Sequence, residues 1–345
     1  MSYLNNKRIC VTGGAGFLGH FVLEKLRERG VKDENVFVPR RKDYNLTLEA
    51  DVVRLYKDAK PDVVIHLAAE VGGIGANRDH PGRFFFANMA MGMHLIEHGR
   101  INGIDKFVQT GTVCAYPKFT PVPFKEADLW NGYPEETNAP YGVAKKSLFV
   151  MLDGYKREFG LDSAVVVPVN LYGPHDNFDP HSSHVIPALI RKCIEARDAG
   201  ADHISCWGTG SASREFLYVE DAAEGIVTAT EKLDTPDPIN LGTNMEIKIK
   251  DLVELIARLC NFTGRIEWDP TKPDGQPRRC LDTSKAKQAM GWQARVEVSK
   301  GLKHSSSGSR LRTNAGSRIR LTFRPSNPSN KSVLWKTSIR DVFSY

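Results

Sequence analysis

The stretch Thr12-Gly13-Gly14-Ala15-Gly16-Phe17-Leu18-Gly19 constrains this chain most. It follows a strand-like segment, Lys7-Arg8-Ile9-Cys10-Val11, and precedes a helical pattern that runs to about Arg29. Glycines at 13, 16 and 19 therefore stand at a strand-to-helix turn with GxxGxxG spacing. Without β-carbons the backbone turns tightly and approaches a pyrophosphate, which sits on the N–H groups of the helix start. A glycine motif alone also fits a loop that merely needs positive φ. Its place right after the first strand points instead to dinucleotide binding. The fold class that begins this way is α/β, a doubly wound (Rossmann) parallel sheet.

The first half keeps that rhythm. A second strand, 35–38, runs into Pro39-Arg40-Arg41-Lys42. An acidic residue there would accept from a ribose 2′-hydroxyl and select NAD, whereas Arg40 and Arg41 favour the extra phosphate of NADP(H). Residues 61–69 form a third strand, apolar on both faces as a parallel strand between helices should be, with His66 as a core residue. Residues 71–77 read as a glycine-rich loop at that strand's end. A helix over 84–100, a strand over 106–110 and a loop over 111–117 follow.

Tyr141 and Lys145 open a long helical run that ends near Phe159, and residues four apart share one helix face. A phenol there can protonate a carbonyl that receives hydride, and a lysine one turn on can hold the phenol's pKa down. Such a pair occurs by chance in many long helices; its weight comes from the glycine loop upstream and from Thr112, a hydroxyl donor on an adjacent strand end. Cys114 reads as a buried small residue, the usual fate of a free cysteine, or as a thiolate base in the same pocket.

Residues 163–169 make another strand, after which the regular alternation breaks up into a smaller C-terminal α/β lobe over 170–303. Trp207 and Arg214 share a loop and suit a base and a phosphate, with structural packing an even competitor for Trp207. Amphipathic helices are expected over 221–231 and 249–260. Helical patterning reaches Lys303 and then gives way to Ser, Asn, Arg and Pro, so 304–345 is expected to be a poorly ordered basic tail.

Composition excludes several classes. Of 345 residues 41% are hydrophobic and 26% charged, ordinary for a soluble globular protein, and no apolar run is long enough for a membrane span. The N-terminal residues lack a signal-peptide pattern, and the six scattered cysteines suit a reducing compartment, so a cytoplasmic protein is expected. The net charge of +6 comes from residues 301–345, which hold nine Lys/Arg against one acid; the basic balance is no argument for nucleic acid binding.

With these residues in place the chain resembles the extended short-chain dehydrogenase/reductase family, and within it the GDP-L-fucose synthases. The runs that carry this are 71–77, Cys114-Ala-Tyr-Pro-Lys118, Asn170-Leu-Tyr-Gly-Pro-His-Asp-Asn-Phe178, Ser183-His184-Val-Ile-Pro-Ala-Leu189, Trp207-Gly-Thr-Gly with Arg214-Glu-Phe216, and Lys272-Pro-Asp-Gly275. The resemblance covers roughly residues 6 to 303. The resemblance implies NADPH-dependent 3,5-epimerisation and 4-reduction of GDP-4-keto-6-deoxy-mannose. It implies Tyr141, Lys145 and Thr112 as the reductase triad, Cys114 and His184 as the proton-moving pair, and Lys192, Trp207 and Arg214 as GDP-sugar contacts. It adds Ala68, Ala69, Tyr141, Lys145, Pro168, Asn170, Leu171 and His184 to the NADP(H) contacts of Gly13, Gly16, Phe17, Leu18, Gly19, Arg40 and Arg41. It also implies a homodimer through the 84–100 and 141–159 helices. The glycine loop itself reads more like those of sugar 4-epimerases and dehydratases. A 4,6-dehydratase would carry an acidic pair after Thr112, where Val113 and Cys114 stand; a GDP-heptose enzyme and a non-catalytic NADP-binding regulator are the other rivals.

Overall fold

Segments with no polar face build the centre of this fold. In the computed structural model, which describes residues 2–179, 183–272, 276–308, 310–312 and 318–320, these segments are strands buried on both sides. The first half contains β1 (Ile9–Thr12), α1 (Phe17–Glu28), β2 (Val36–Phe37), α2 (Glu49–Ala59), β3 (Val63–His66), α3 (Ile74–Asp79), α4 (Pro81–Ile101), β4 (Lys106–Thr110), α5 (Ala139–Phe159) and β5 (Asp162–Pro168). Next come β6 (Asn170–Tyr172), α6 (Val185–Asp198), β7 (His203–Trp207), β8 (Ser213–Arg214), β9 (Phe216–Tyr218), α7 (Val219–Lys232) and β10 (Ile239–Leu241). The chain continues with β11 (Ile247–Lys248), α8 (Ile249–Leu259), β12 (Arg265–Asp269), α9 (Ser284–Met290), α10 (Val298–Gly308), β13 (Arg310–Arg312) and β14 (Arg318–Arg320).

Among the described residues six strands form one sheet in the order β10-β5-β4-β3-β1-β2, and its pairings are parallel. Every residue of β1, β3 and β4 is buried, which is why those segments lack alternation. The chain leaves β1 for β2 on one side and returns to β3 on the other. The carboxyl ends of β1 and β3 therefore flank a topological switch point, where such sheets place ligands.

The described residues divide into two compact units. One holds residues 2–171, 214–246 and 278–295 and contains the sheet; the other holds the described residues of 172–213, 247–277 and 296–320. The sixth strand is three residues of a late segment, too short to show a period in the sequence. In the second unit β7 and β12 pair in parallel, and β13 pairs antiparallel with β14.

Two local expectations change. The stretch 71–77, expected to be loop, becomes helical from Ile74, and Asn77 fastens it by donating from Nδ2 to the carbonyl oxygens of Gly72 (2.9 Å) and Gly73 (3.1 Å). The helix expected to end at Lys303 runs on to Gly308, with Ser305 buried and its hydroxyl donating to the Gly301 carbonyl at 2.8 Å. The other residues of the expected tail, beyond the β13–β14 pair, lie outside the described residues. Among the described residues no helix is long and apolar enough to cross a membrane.

Candidate active site

β1 passes into α1 through the glycine loop. Gly13 takes φ +73°, and a β-carbon there would stand 2.8 Å from the Ala68 nitrogen, so the loop and the end of β3 touch backbone to backbone. The Thr12 hydroxyl accepts from Ala68 N–H at 3.4 Å and bonds His66 Nδ1 at 2.7 Å across the strand ends. α1 follows its cap residue Gly16 with no side-chain cap bond and no acidic residue in its first turn, so no side chain of its own competes with an anion for the helix start. Gly13, Gly16, Phe17, Leu18 and Gly19 thus fit a dinucleotide pyrophosphate, with Ala68 and Ala69 beside them. His66 itself is wholly buried, and burial first, then the Lys145 charge, hold its pKa well below the usual value.

At the end of β2 the two arginines differ. Arg40 is exposed, whereas Arg41 donates to Glu70 Oε1 at 2.8 Å. Glu70 is also gripped by Arg83 at 2.7 Å, and that hydrogen bond is the main reason its carboxyl titrates below the usual range. Glu70 and Arg83 were not foreseen, since nothing in their spacing links them to 40–41.

β4 delivers the next group. Thr112 caps a short 3-10 turn, Val113–Ala115, and its hydroxyl accepts from Cys114 N–H at 3.2 Å. α5 packs directly on that turn because Gly142 lacks a side chain. A β-carbon at Gly142 would stand 2.2 Å from the Cys114 carbonyl oxygen, so any larger residue would push the helix away. This close approach brings the Tyr141 phenol near the Thr112 hydroxyl and Cys114, both of which act on its titration. Thr112, Cys114, Tyr141 and Lys145 are accordingly gathered at one end of the sheet.

Their electrostatics differ from the simple expectation that Lys145 lowers the phenol's pKa. Burial dominates and pushes Tyr141 up, Cys114 adds to the rise, and only the Thr112 hydrogen bond opposes it. Lys145 is 2% exposed, and burial lowers its pKa to about 8. The phenol therefore holds its proton at neutral pH, the state a proton donor needs.

Cys114 is half-buried while the other five cysteines are buried. Arg279 Nη1 donates toward its sulfur at 3.8 Å, a partner that comes 165 residues later in the chain and that sequence spacing could not reveal. Pro168 ends β5 and is buried; Asn170 and Leu171 follow in β6, where Asn170 Nδ2 donates to the Glu215 carbonyl at 3.1 Å.

The second unit holds His184, Lys192 and Trp207. His184 directly precedes α6 with an exposed side chain, and the protein around it still lowers its pKa by desolvation. Lys192 Nζ donates to the Ser205 carbonyl at 2.6 Å, two residues before Trp207. Trp207 is 64% exposed, with Lys272 Nζ over its ring at 5.9 Å, so it is not a core residue and offers an aromatic surface suited to stacking. Arg214 is half-buried at the start of the sheet unit's second segment.

The chain matches the model of the NAD dependent epimerase/dehydratase family over residues 9–242. It is 38% identical over 295 residues to GDP-L-fucose synthase 1 of Arabidopsis thaliana, covering 86% of this chain and 90% of that one. Among solved structures it is similar to a GDP-L-fucose synthetase from Naegleria fowleri bound to NADP, with TM-score 0.80 and 27% identity over 88% and 93% of the two chains. A GDP-6-OMe-4-keto-L-xylo-heptose reductase from C. jejuni is also similar, with TM-score 0.82 and 25% identity over 88% and 98%.

Proposed function

The chain belongs to the NAD dependent epimerase/dehydratase family, and on that premise we propose that it is an NADP-dependent oxidoreductase with epimerase activity. Its reaction is the 3,5-epimerisation and 4-reduction of GDP-4-keto-6-deoxy-D-mannose to GDP-L-fucose. The observation that carries this reading is the meeting of Thr112, Cys114 and Tyr141 at one strand end, in a chain 38% identical to a GDP-L-fucose synthase.

The chemistry fits these residue types. Carbons 3 and 5 flank the C4 ketone, so their protons are acidic, and a thiolate and an imidazole can remove and return them. Cys114 and His184 take those roles. NADPH, when bound, supplies the hydride that C4 receives. Tyr141 gives its proton to the C4 oxygen, with Thr112 aligning the phenol, and Lys145 holds the cofactor's ribose. The glycine loop, Ala68, Ala69, Pro168, Asn170 and Leu171 hold the dinucleotide, and Arg40 and Arg41 face its 2′-phosphate. Lys192, Trp207 and Arg214 contact the GDP moiety.

Two measurements test this. Enzymatically made GDP-4-keto-6-deoxy-mannose should drive NADPH oxidation, followed by absorbance, and NMR should identify GDP-fucose. Turnover only with a GDP-heptose would favour the second reading, which rests on the similarity to the C. jejuni enzyme. Cys114→Ser should abolish solvent deuterium uptake at C3 and C5 while direct ketone reduction stays measurable; equal loss of both steps would remove Cys114 from a dedicated role.

The same reading carries a cytoplasmic homodimer. α4 and α5 pack against each other and present an apolar stripe outward, with Phe86 62% and Val150 55% exposed. Two such faces would bury each other as a four-helix bundle. Light scattering should return twice the chain mass, and Phe86→Glu together with Val150→Glu should return the single mass. A monomeric parent protein would defeat the dimer.

A further inference from the structure

An ordinary thiol is only a few per cent thiolate at neutral pH, yet the thiolate is what removes a proton. The reaction proposed above therefore needs something that favours the anion at Cys114. Arg279 meets that need by chemistry and by placement. Its guanidinium is a permanent cation, and Nη1 stands 3.8 Å from the sulfur.

The placement is built into the sheet unit. Phe124 and Leu281 form a parallel bridge, in which Phe124 N–H donates to the Cys280 carbonyl at 2.8 Å and Asp282 N–H to the Phe124 carbonyl at 2.9 Å. Leu281 N–H is fixed separately on Glu215 Oε2 at 2.7 Å. Arg279 leaves this stapled segment half-buried, while Cys114 is tied from its own N–H to the Thr112 hydroxyl. Other charged groups nearby do not substitute for it. Tyr141 faces Cys114 from α5, but burial keeps its phenol neutral. Lys145 lies one turn on, where its charge acts on His66, and Arg278 is engaged by Glu246 at 3.1 Å.

We propose that Arg279 is a positioning residue that keeps Cys114 as the thiolate base of the epimerising half-reaction, an inference that rests on the epimerase reading. In that step the sulfur takes a proton from a carbon beside the ketone. An S–H bond forms, the C–H bond breaks, and its electron pair passes to the carbonyl oxygen as an enolate. Arg279 stays protonated throughout.

The test is the pH dependence of Cys114 alkylation by iodoacetamide, read by peptide mass spectrometry, with Cys114→Ser as the control for labelling site. Burial of the other five cysteines keeps the label selective. Arg279→Gln should move the midpoint up by about one pH unit, with Arg279→Lys in between. Solvent deuterium uptake into the sugar at neutral pH should slow roughly tenfold in Arg279→Gln and recover as pH rises. Variants that keep the wild-type circular dichroism and alkylate on the wild-type profile would overturn the proposal. So would a wild-type midpoint at or above that of the urea-unfolded chain, whichever variants fold. A shifted profile in a protein that turns over no GDP-sugar would sink the epimerase reading while the Arg279–Cys114 coupling stood.

Discussion

Tyr141→Phe is expected to lower the rate of NADPH-dependent ketone reduction by roughly 10²- to 10⁴-fold, the usual worth of a positioned proton donor. The substitution removes one oxygen and keeps the ring, so the close packing of α5 on the Val113–Ala115 turn survives. What is lost is the proton for the C4 oxygen. Burial holds the phenol's pKa high, so wild-type Tyr141 carries that proton throughout the neutral range. Lys145, lowered to about 8 by burial, is charged at neutral pH and loses its charge above that, so the two groups are in their working states together below about pH 8. Deuterium uptake at C3 and C5 should persist in Tyr141→Phe, because Cys114 and His184 do that work. Loss of the phenol oxygen costs about 1 kcal/mol of stability and leaves the fold intact. Stopped-flow absorbance gives the reduction rate, and a variant that reduces within tenfold of wild type would remove Tyr141 as the donor.

The residues that were legible in the sequence share a local signature. β1, the glycine loop and α1 follow one another within twenty residues, and each announces the next by an apolar run or a glycine. Tyr141 and Lys145 are one helical turn apart, so a period of 3.6 suffices to pair them. α3 was missed because glycines at 72, 73 and 75 depress helix propensity, and the Asn77 side chain that compensates makes a tertiary-style clasp that no periodicity shows. The extension of α10 was missed for a related reason. Serine is a poor interior helix former, and Ser305 is accommodated by burial and by bonding back to Gly301. Arg279 was invisible because its partner is set by three-dimensional register: the 280–282 segment joins Phe124 and Glu215, neither of which its own neighbours predict.

Glu215 is where that register is most exposed to a single substitution. Its side chain is wholly buried, and burial pushes its carboxyl above the usual carboxylate range. The backbone N–H groups of Thr243, Asn244 (2.7 Å) and Leu281 (2.7 Å) and the Thr243 hydroxyl (3.2 Å) all donate to it. One carboxylate thus ties three stretches of the sheet unit: its own strand entry, the 243–244 turn after β10, and the segment that carries Arg279. Glu215→Ala would leave these donors without an acceptor and open a cavity, a cost of about 4 kcal/mol. Glu215→Gln should cost about half as much. One oxygen still accepts from Thr243 and Asn244, but an amide NH₂ replaces Oε2 and meets the Leu281 N–H donor to donor. The order Ala, then Gln, then wild type should appear in urea midpoints. The glutamine variant should also slow Cys114 alkylation, since it loosens the segment that positions Arg279. Equal midpoints for wild type and Glu215→Ala would mean that the buried carboxylate does not hold these segments, and the fixed geometry claimed for Arg279 would lose its support.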